Sequence, residues 1–182
     1  VRLSRPGGPN RLDPCLPGLG DGPSPRGGQD TGPNPTDRGK AGTKRHVLVD
    51  RNGIPLAVTL SAANVPDGAM MEATLDALEP IKRPCGRPRK RPAKLHADKA
   101  YDAAARRAAL RRRGITPRIA RRGIESSARL GRYRWAVERT HSWMNRFRRL
   151  KVRYERRSDI HLAFLHLGCT LICWNFMVNM FC

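Results

Sequence analysis

The sequence predicts an α/β fold, a mixed sheet flanked by helices, on three observations. Two β-rich runs, "KRHVLVD" at 44–50 and "IPLAVTLS" at 54–61, bracket the turn dipeptide Asn52-Gly53. Two further short runs, "KLHAD" at 94–98 and "ITPRIA" at 115–120, alternate with helical patterns. Two C-terminal segments are long and apolar at helical spacing.

In chain order, residues 1–43 hold 18 of the 32 Pro and Gly residues and show neither a period of two nor one of 3.6. They are expected to be an irregular N-terminal segment, with the folded domain occupying 44–182. The hairpin opens that domain. Asp67 is expected to cap a helix whose Met71, Leu75 and Leu78 form one stripe, and Pro80 ends it. "IKRPCGRPRKRPAK" mixes Pro with basic residues and has no apolar face, which describes a solvated loop able to lie along a phosphate backbone. Asp102 is placed to cap "AAARRAALRRR", and Gly114 terminates it with Arg111, Arg112 and Arg113 in the last turn, where the helix dipole favours cations. From Tyr133 to Tyr154 a helix carries Ala136, Thr140, Trp143, Phe147, Leu150 and Tyr154 on one side. A last apolar helix begins near Asp159. It is long enough to span a bilayer, which takes roughly 20 apolar residues, but His161, His166, Thr170, Asn175 and Asn179 interrupt it. It reads as a buried core helix rather than a membrane span.

The 182 residues carry a net charge of +21 and a pI near 11.4, which disfavours an ordinary enzyme of small neutral metabolites and favours a polyanionic partner. From Ile81 to Arg157 there are 27 Lys and Arg against five acids, a net of +22; the rest of the chain has nine against ten, a net of −1. The five cysteines make no CxxC pair, and no N-terminal apolar run of signal-peptide type is present, so a reducing, cytoplasmic setting fits.

Within the basic half, carboxylates are scarce. Opposite the apolar stripe of the long helix stand Arg134, Glu138, His141, Asn145 and Arg149. Taken alone, Glu138 is an i, i+4 partner of Arg134, worth roughly 0.2 to 0.5 kcal/mol, and Asp98 is a turn residue at a strand end. Together, amid dense Arg and Lys, they suit a divalent-metal site for phosphoryl transfer, since Mg2+ takes one or two carboxylates plus phosphate oxygens. Asp98 also lies where ligands gather in open α/β sheets, beyond the carboxyl end of a strand, with His96 on the same strand face.

The blocks "TGPNPTDRGKAGTKRHVLVDRNGIPLAVTLSAANVPD", "LHADKAYD", "RGITPRIARRG" and "RYRWAVERTHSWMNRFRRLKVRYERR" together resemble bacterial insertion-sequence transposases of the DDE class, over about residues 27 to 175. The resemblance implies a ribonuclease-H-like fold and DNA transposition: metal-dependent strand cleavage and strand transfer at the element ends, with Mg2+ as cofactor and Mn2+ able to substitute. Carried over by position, Asp98 resembles the second acid of the catalytic and metal-binding triad and Glu138 the third, while Arg134 matches an Arg that contacts DNA. Lys99, Arg139, Asn145, Arg111, Arg112 and Arg113 are the further candidate DNA contacts. The implied partner is double-stranded DNA, element ends and target, with room for a homo-oligomer on DNA, no membrane, and a nucleoid-associated place in the bacterial cytoplasm.

The sequence departs from the pattern in three places. The first acid belongs on a strand upstream of "TGPNPTDRG", where no strand pattern stands; Asp21 is the nearest candidate, with Asp13 and Asp30 behind it. Ala100 replaces a Gly, and the chain has no room for an N-terminal helical DNA-binding region, so a copy truncated or frameshifted at its N-terminus is expected, active or reduced to a non-catalytic DNA binder. Trp143 and Phe147 at helical spacing read as core and Trp135 as ambiguous, and His166, Cys169 and Cys173 read as core packing rather than a zinc site.

Overall fold

The computed structural model describes residues 16–82, 86–121 and 131–181. Its centre is β3 (Ala41–Val49), which pairs antiparallel with β4 (Pro55–Ala62) on one edge. On the other edge it pairs antiparallel with β1 (Leu16–Pro23), and β2 (Gly32–Pro33) joins the same side at Ala41 and Gly42. A second, parallel pair is formed by β5 (Lys94–Ala97) and β6 (Thr116–Ile119), with β5 lying alongside β1. The helices are α1 (Met71–Asp76), α2 (Ala104–Arg112), α3 (Gly131–Met144), α4 (Arg148–Lys151) and α5 (Ser158–Phe181), so the mixed α/β expectation holds.

Strand alternation divides the interior into two cores. On one face Leu48, Ala57, Leu95, Ala97 and Ile119 meet Met71, Leu75 and Leu78 of the α1 region, with Tyr101 and Leu110. On the other, Val47, Val49 and Val58 meet Ala136, Val137 and Met144 of α3, Leu150 of α4, and Leu165 and Ile172 of α5. The β3–β4 turn is closed by Asp50, whose Oδ1 accepts from the Asn52 and Ile54 amides at 2.8 and 2.7 Å, and Gly53 takes the left-handed φ of +77°.

Several expectations fail for identifiable reasons. Residues 16–23 were expected to be irregular, yet they form β1. The strand is built of alternating Gly18, Gly20 and Gly22, and a Cβ at Gly20 would come within 2.7 Å of His141 Nδ1, so bare backbone is what lets α3 pack so closely. Asp67 and Asp102 do not cap their helices: Asp67 takes Lys44 Nζ at 2.7 Å and Asp102 takes Arg107 at 2.7 Å. The helix expected over 133–154 breaks after Met144, because the buried guanidinium of Arg45 captures Asn145 Oδ1 at 2.9 Å and the Leu150 carbonyl at 3.0 Å. Arg153, 1% exposed, fastens the segment after α4 by donating to Thr43 Oγ1 at 2.8 Å and to the Gln29 carbonyl at 2.6 Å. Finally, α5 is a core helix on one face only. His161, Leu165 and Ile172 are buried, while Leu167, Leu171 and Trp174 are exposed. It is long and apolar enough, by length and composition, to cross a membrane.

Candidate nucleic-acid interface and metal site

Asp98 follows β5 directly and caps the 3-10 turn Lys99–Tyr101, its Oδ1 accepting the Lys99 amide at 2.6 Å. The turn role that the residue type suggests is therefore real for one of its two oxygens. The alternation that buries Leu95 and Ala97 beneath α1 and α2 turns His96 and Asp98 to the other side of the strand, the side on which α3 packs. Burial, and then the cations Arg118 and Lys94, hold the His96 imidazolium below its ordinary pKa, so near neutral pH the ring beside Asp98 is uncharged. Glu138 is exposed on α3, and α3 lies against β1 and β3.

Asp21 is not brought to that side. It sits in β1 opposite Lys44, and its strand neighbours Gly20 and Gly22 face His141 of α3 and the Lys151 carbonyl of α4. By alternation the Asp21 carboxylate belongs to the opposite face. There it shares an electrostatic neighbourhood with Lys44 and with Asp67 of the turn Asp67–Met70. Burial raises its pKa, Lys44 and Arg45 oppose that shift, and Asp67 adds to it. Asp67 and Asp98 both raise the pKa of Tyr101, whose hydroxyl is buried. This second acid–lysine group, Asp21, Asp67 and Lys44, was not read from the sequence; only the strand register reveals it. Asp30 lies elsewhere, its carbonyl accepting from Thr43 Oγ1, and Asp13 lies outside the described residues. Among the described residues no group of three or more His, Cys, Asp or Glu is placed to hold a metal ion. Asp98, turned by strand alternation away from the α1–α2 core, and Glu138, exposed on α3, are the two candidate carboxylates, and a hard dication takes one or two carboxylates and completes its shell with phosphate oxygens.

The basic candidates separate into exposed and internally bonded groups. Arg111 and Arg112 are exposed on the last turn of α2. Arg113 instead bridges to Asp76 at 2.6 Å and Glu72 at 3.1 Å, which pins α2 to α1 and lowers the Asp76 pKa. Asn145 uses its carbonyl oxygen on Arg45. Lys99 is half-buried beside Asp98, and Arg134 belongs to α3, its side chain lying outside the described residues. Arg139 lies over the rings of Trp135 and Trp143, 4.4 and 4.7 Å from their centroids, and also donates to the Asn52 carbonyl. The ambiguous Trp135 is thus one half of an Arg–Trp stack, 48% exposed.

Between α3 and α5 runs a groove of about 510 Å3, with Arg139, Trp143, Arg146 and Phe147 on one wall and Phe176 and Asn179 on the other. The sequence signal for its second wall was the pair Asn175 and Asn179 at i, i+4 on an otherwise apolar helix. His166 is exposed, and Cys169 packs beside the α5 core.

A family model described as the transposase DDE domain matches residues 20–176, most of the chain. The chain belongs to the DDE transposase family. A relative within it, the putative transposase for insertion sequence element IS402 from Burkholderia cepacia, is 54% identical over 145 residues, which is 80% of this chain and 69% of that protein. The family match begins at residue 20, inside β1, so the second half of the Gly-rich strand that the composition disguised lies within the matched DDE transposase domain.

Proposed function

We propose that this DDE transposase domain binds double-stranded DNA along its basic half and supports metal-dependent phosphoryl transfer, with Asp98 and Glu138 as the metal-holding carboxylates. What supports this reading is the scarcity of carboxylates, five against 27 basic residues in the segment 81–157, with Asp98 at the end of β5 and Glu138 exposed on α3, the helix that packs on the neighbouring strand β1. A ribonuclease-H-like arrangement is the fold in which we read them: an antiparallel β1–β3–β4 sheet, a parallel β5–β6 pair beside β1, and α3 laid across it. A bound Mg2+ or Mn2+ would activate water and then a 3′ hydroxyl for attack on phosphorus. The residues of the chain do the positioning. Asp98 is held by the Lys99 amide, which fixes its orientation at the strand end. Arg111 and Arg112 of α2 neutralise phosphates and release counterions. Double-stranded element ends and target DNA are the substrates in this reading, and the compartment that holds the DNA is where the protein works.

A second reading, a non-catalytic DNA binder of the same fold, is favoured by one observation: Asp21, the nearest upstream acid, belongs to the face away from α3. Oligonucleotide assays separate the two. The chain incubated with duplexes carrying its element ends and Mn2+ or Mg2+ is expected to nick them, and Asp98→Ala and Glu138→Ala are each expected to lower nicking at least 100-fold while leaving the Kd for the duplex within about threefold. Intact duplex in every lane, with binding preserved in both variants, would sink the enzyme reading and leave the binder.

A further inference from the structure

The solvent face of α5 carries an apolar repeat of which only Phe164, half-buried against the second core and beneath Arg149, belongs to a core. Ile160, Phe164, Leu167, Leu171, Trp174 and Val178 succeed one another at alternating steps of four and three residues, a heptad seam sustained along the helix. Trp174 is 58% exposed and Leu167 56%, with Ile160, Leu171 and Val178 exposed as well. The residues that bury the other side of the helix, His161, Leu165 and Ile172, belong to a different stripe. A period of 3.5 keeps a seam facing a second helix, whereas a surface helix with one core needs only its inner stripe.

We infer that two copies of this chain pair through α5, antiparallel, along the Ile160–Val178 seam. Three points select a second copy as the occupant. First, a chain of net charge +21 repels itself over most of its surface, yet α5 carries no Asp, Glu, Lys or Arg from Ile160 to Phe181. It is the surface on which two such copies meet without opposing like charges. Second, the exposed seam side chains with the neighbouring Met177 offer roughly 550 Å2 per copy, so a pair removes about 1,100 Å2 from water, just above the ~1,000 Å2 that a specific interface requires. Third, Arg156 stands just before α5, beside Arg157, which is ion-paired with Asp159. Parallel pairing would bring the two Arg156 guanidinium groups together, while antiparallel pairing separates them by the helix length, about 36 Å for 24 residues. The contact is self-complementary about residue 169, the middle of the seam, with Leu171 of one copy over Leu167 of the other and Trp174 over Phe164.

Sedimentation of the whole chain without DNA tests this independently of the transposase chemistry. A concentration-dependent dimer is expected, shifted to monomer by at least a tenfold weakening in Leu171→Glu and in Trp174→Glu, and retained in His166→Glu, which changes an exposed residue of the same helix off the seam. Because the substituted side chains are exposed, far-ultraviolet circular dichroism should show all three variants folded. Oxidative cross-linking above the level of the unsubstituted chain is expected for a mixture of Leu167→Cys and Leu171→Cys chains and not for Ile160→Cys; cross-linking of Ile160→Cys to itself overturns the antiparallel arrangement. A chain that stays monomeric to about 100 µM, or that floats as a monomer with phosphatidylcholine vesicles, overturns the pairing, the latter in favour of a lipid-facing helix.

Discussion

His46 shows how one buried side chain sets a pH limit on the whole fold. It is 2% exposed on β3 and bonded through Nε2 to Ser61 Oγ at 2.8 Å, and burial depresses its pKa to about 4, a shift that Asp67 opposes and Lys44 reinforces. The folded state therefore binds its proton less readily than the unfolded chain, whose histidine titrates near 6.5. The stability that His46 permits is fully present above pH 6.5 and is lost as pH falls from there to about 4, by an amount on the order of 3 kcal/mol at 1.36 kcal/mol per pKa unit. Urea unfolding from pH 7 to pH 4 should show this fall, and His46→Gln should flatten it. His96 and His161 are depressed in the same direction by burial, so a residual slope is expected in the variant. An undiminished slope in His46→Gln would assign the acid sensitivity to those other groups.

At the level of elements, legibility followed whether local pattern or neighbouring structure made the element. The hairpin β3–β4 was readable because Asn52-Gly53 and the apolar runs carry their own signal, and β5, α2 and β6 followed from short runs separated by Gly114. Strand β1 was not, since "LPGLGDGP" has no β propensity and pairs because the edge of β3 offers it eight partners. The same blindness hid the setting of Asp21: its residue type was legible and its side of the sheet was not, because that depends on the parity of a strand that composition hid. The break after α3 was equally invisible, being made by Arg45 from a distant strand. If the glycines of β1 are there for close approach, Gly20→Ala should destabilise the fold by about 1 to 3 kcal/mol through overpacking against His141 and Arg45, which are 2.7 and 3.1 Å from the added carbon. A urea midpoint unchanged from the parent would show that α3 can retreat from β1 without cost.

On the scale of the whole molecule, the charge distribution governs both stability and partner. The segment 81–157 holds a net +22 in a chain of net +21, and among the described residues few of its cations are offset by ion pairs as close as Arg107 with Asp102 or Arg113 with Asp76. Such a chain repels itself when free, and a duplex supplies the missing counter-charge. The two states must then respond to salt with opposite sign. For the free protein, raising NaCl from about 0.02 to 0.3 M shortens the Debye length from roughly 20 Å to below 10 Å, screens the self-repulsion and should raise Tm. For the protein saturated with duplex at low salt, Tm should start higher, by the binding free energy, and fall as counterion release loses its advantage and the complex dissociates. Circular dichroism melts of the two samples should therefore converge as salt rises. A free-protein Tm that declines steadily across the series would mean that the folded chain is held by its ion pairs rather than strained by its excess charge, and that the basic half is neutralised internally before DNA arrives.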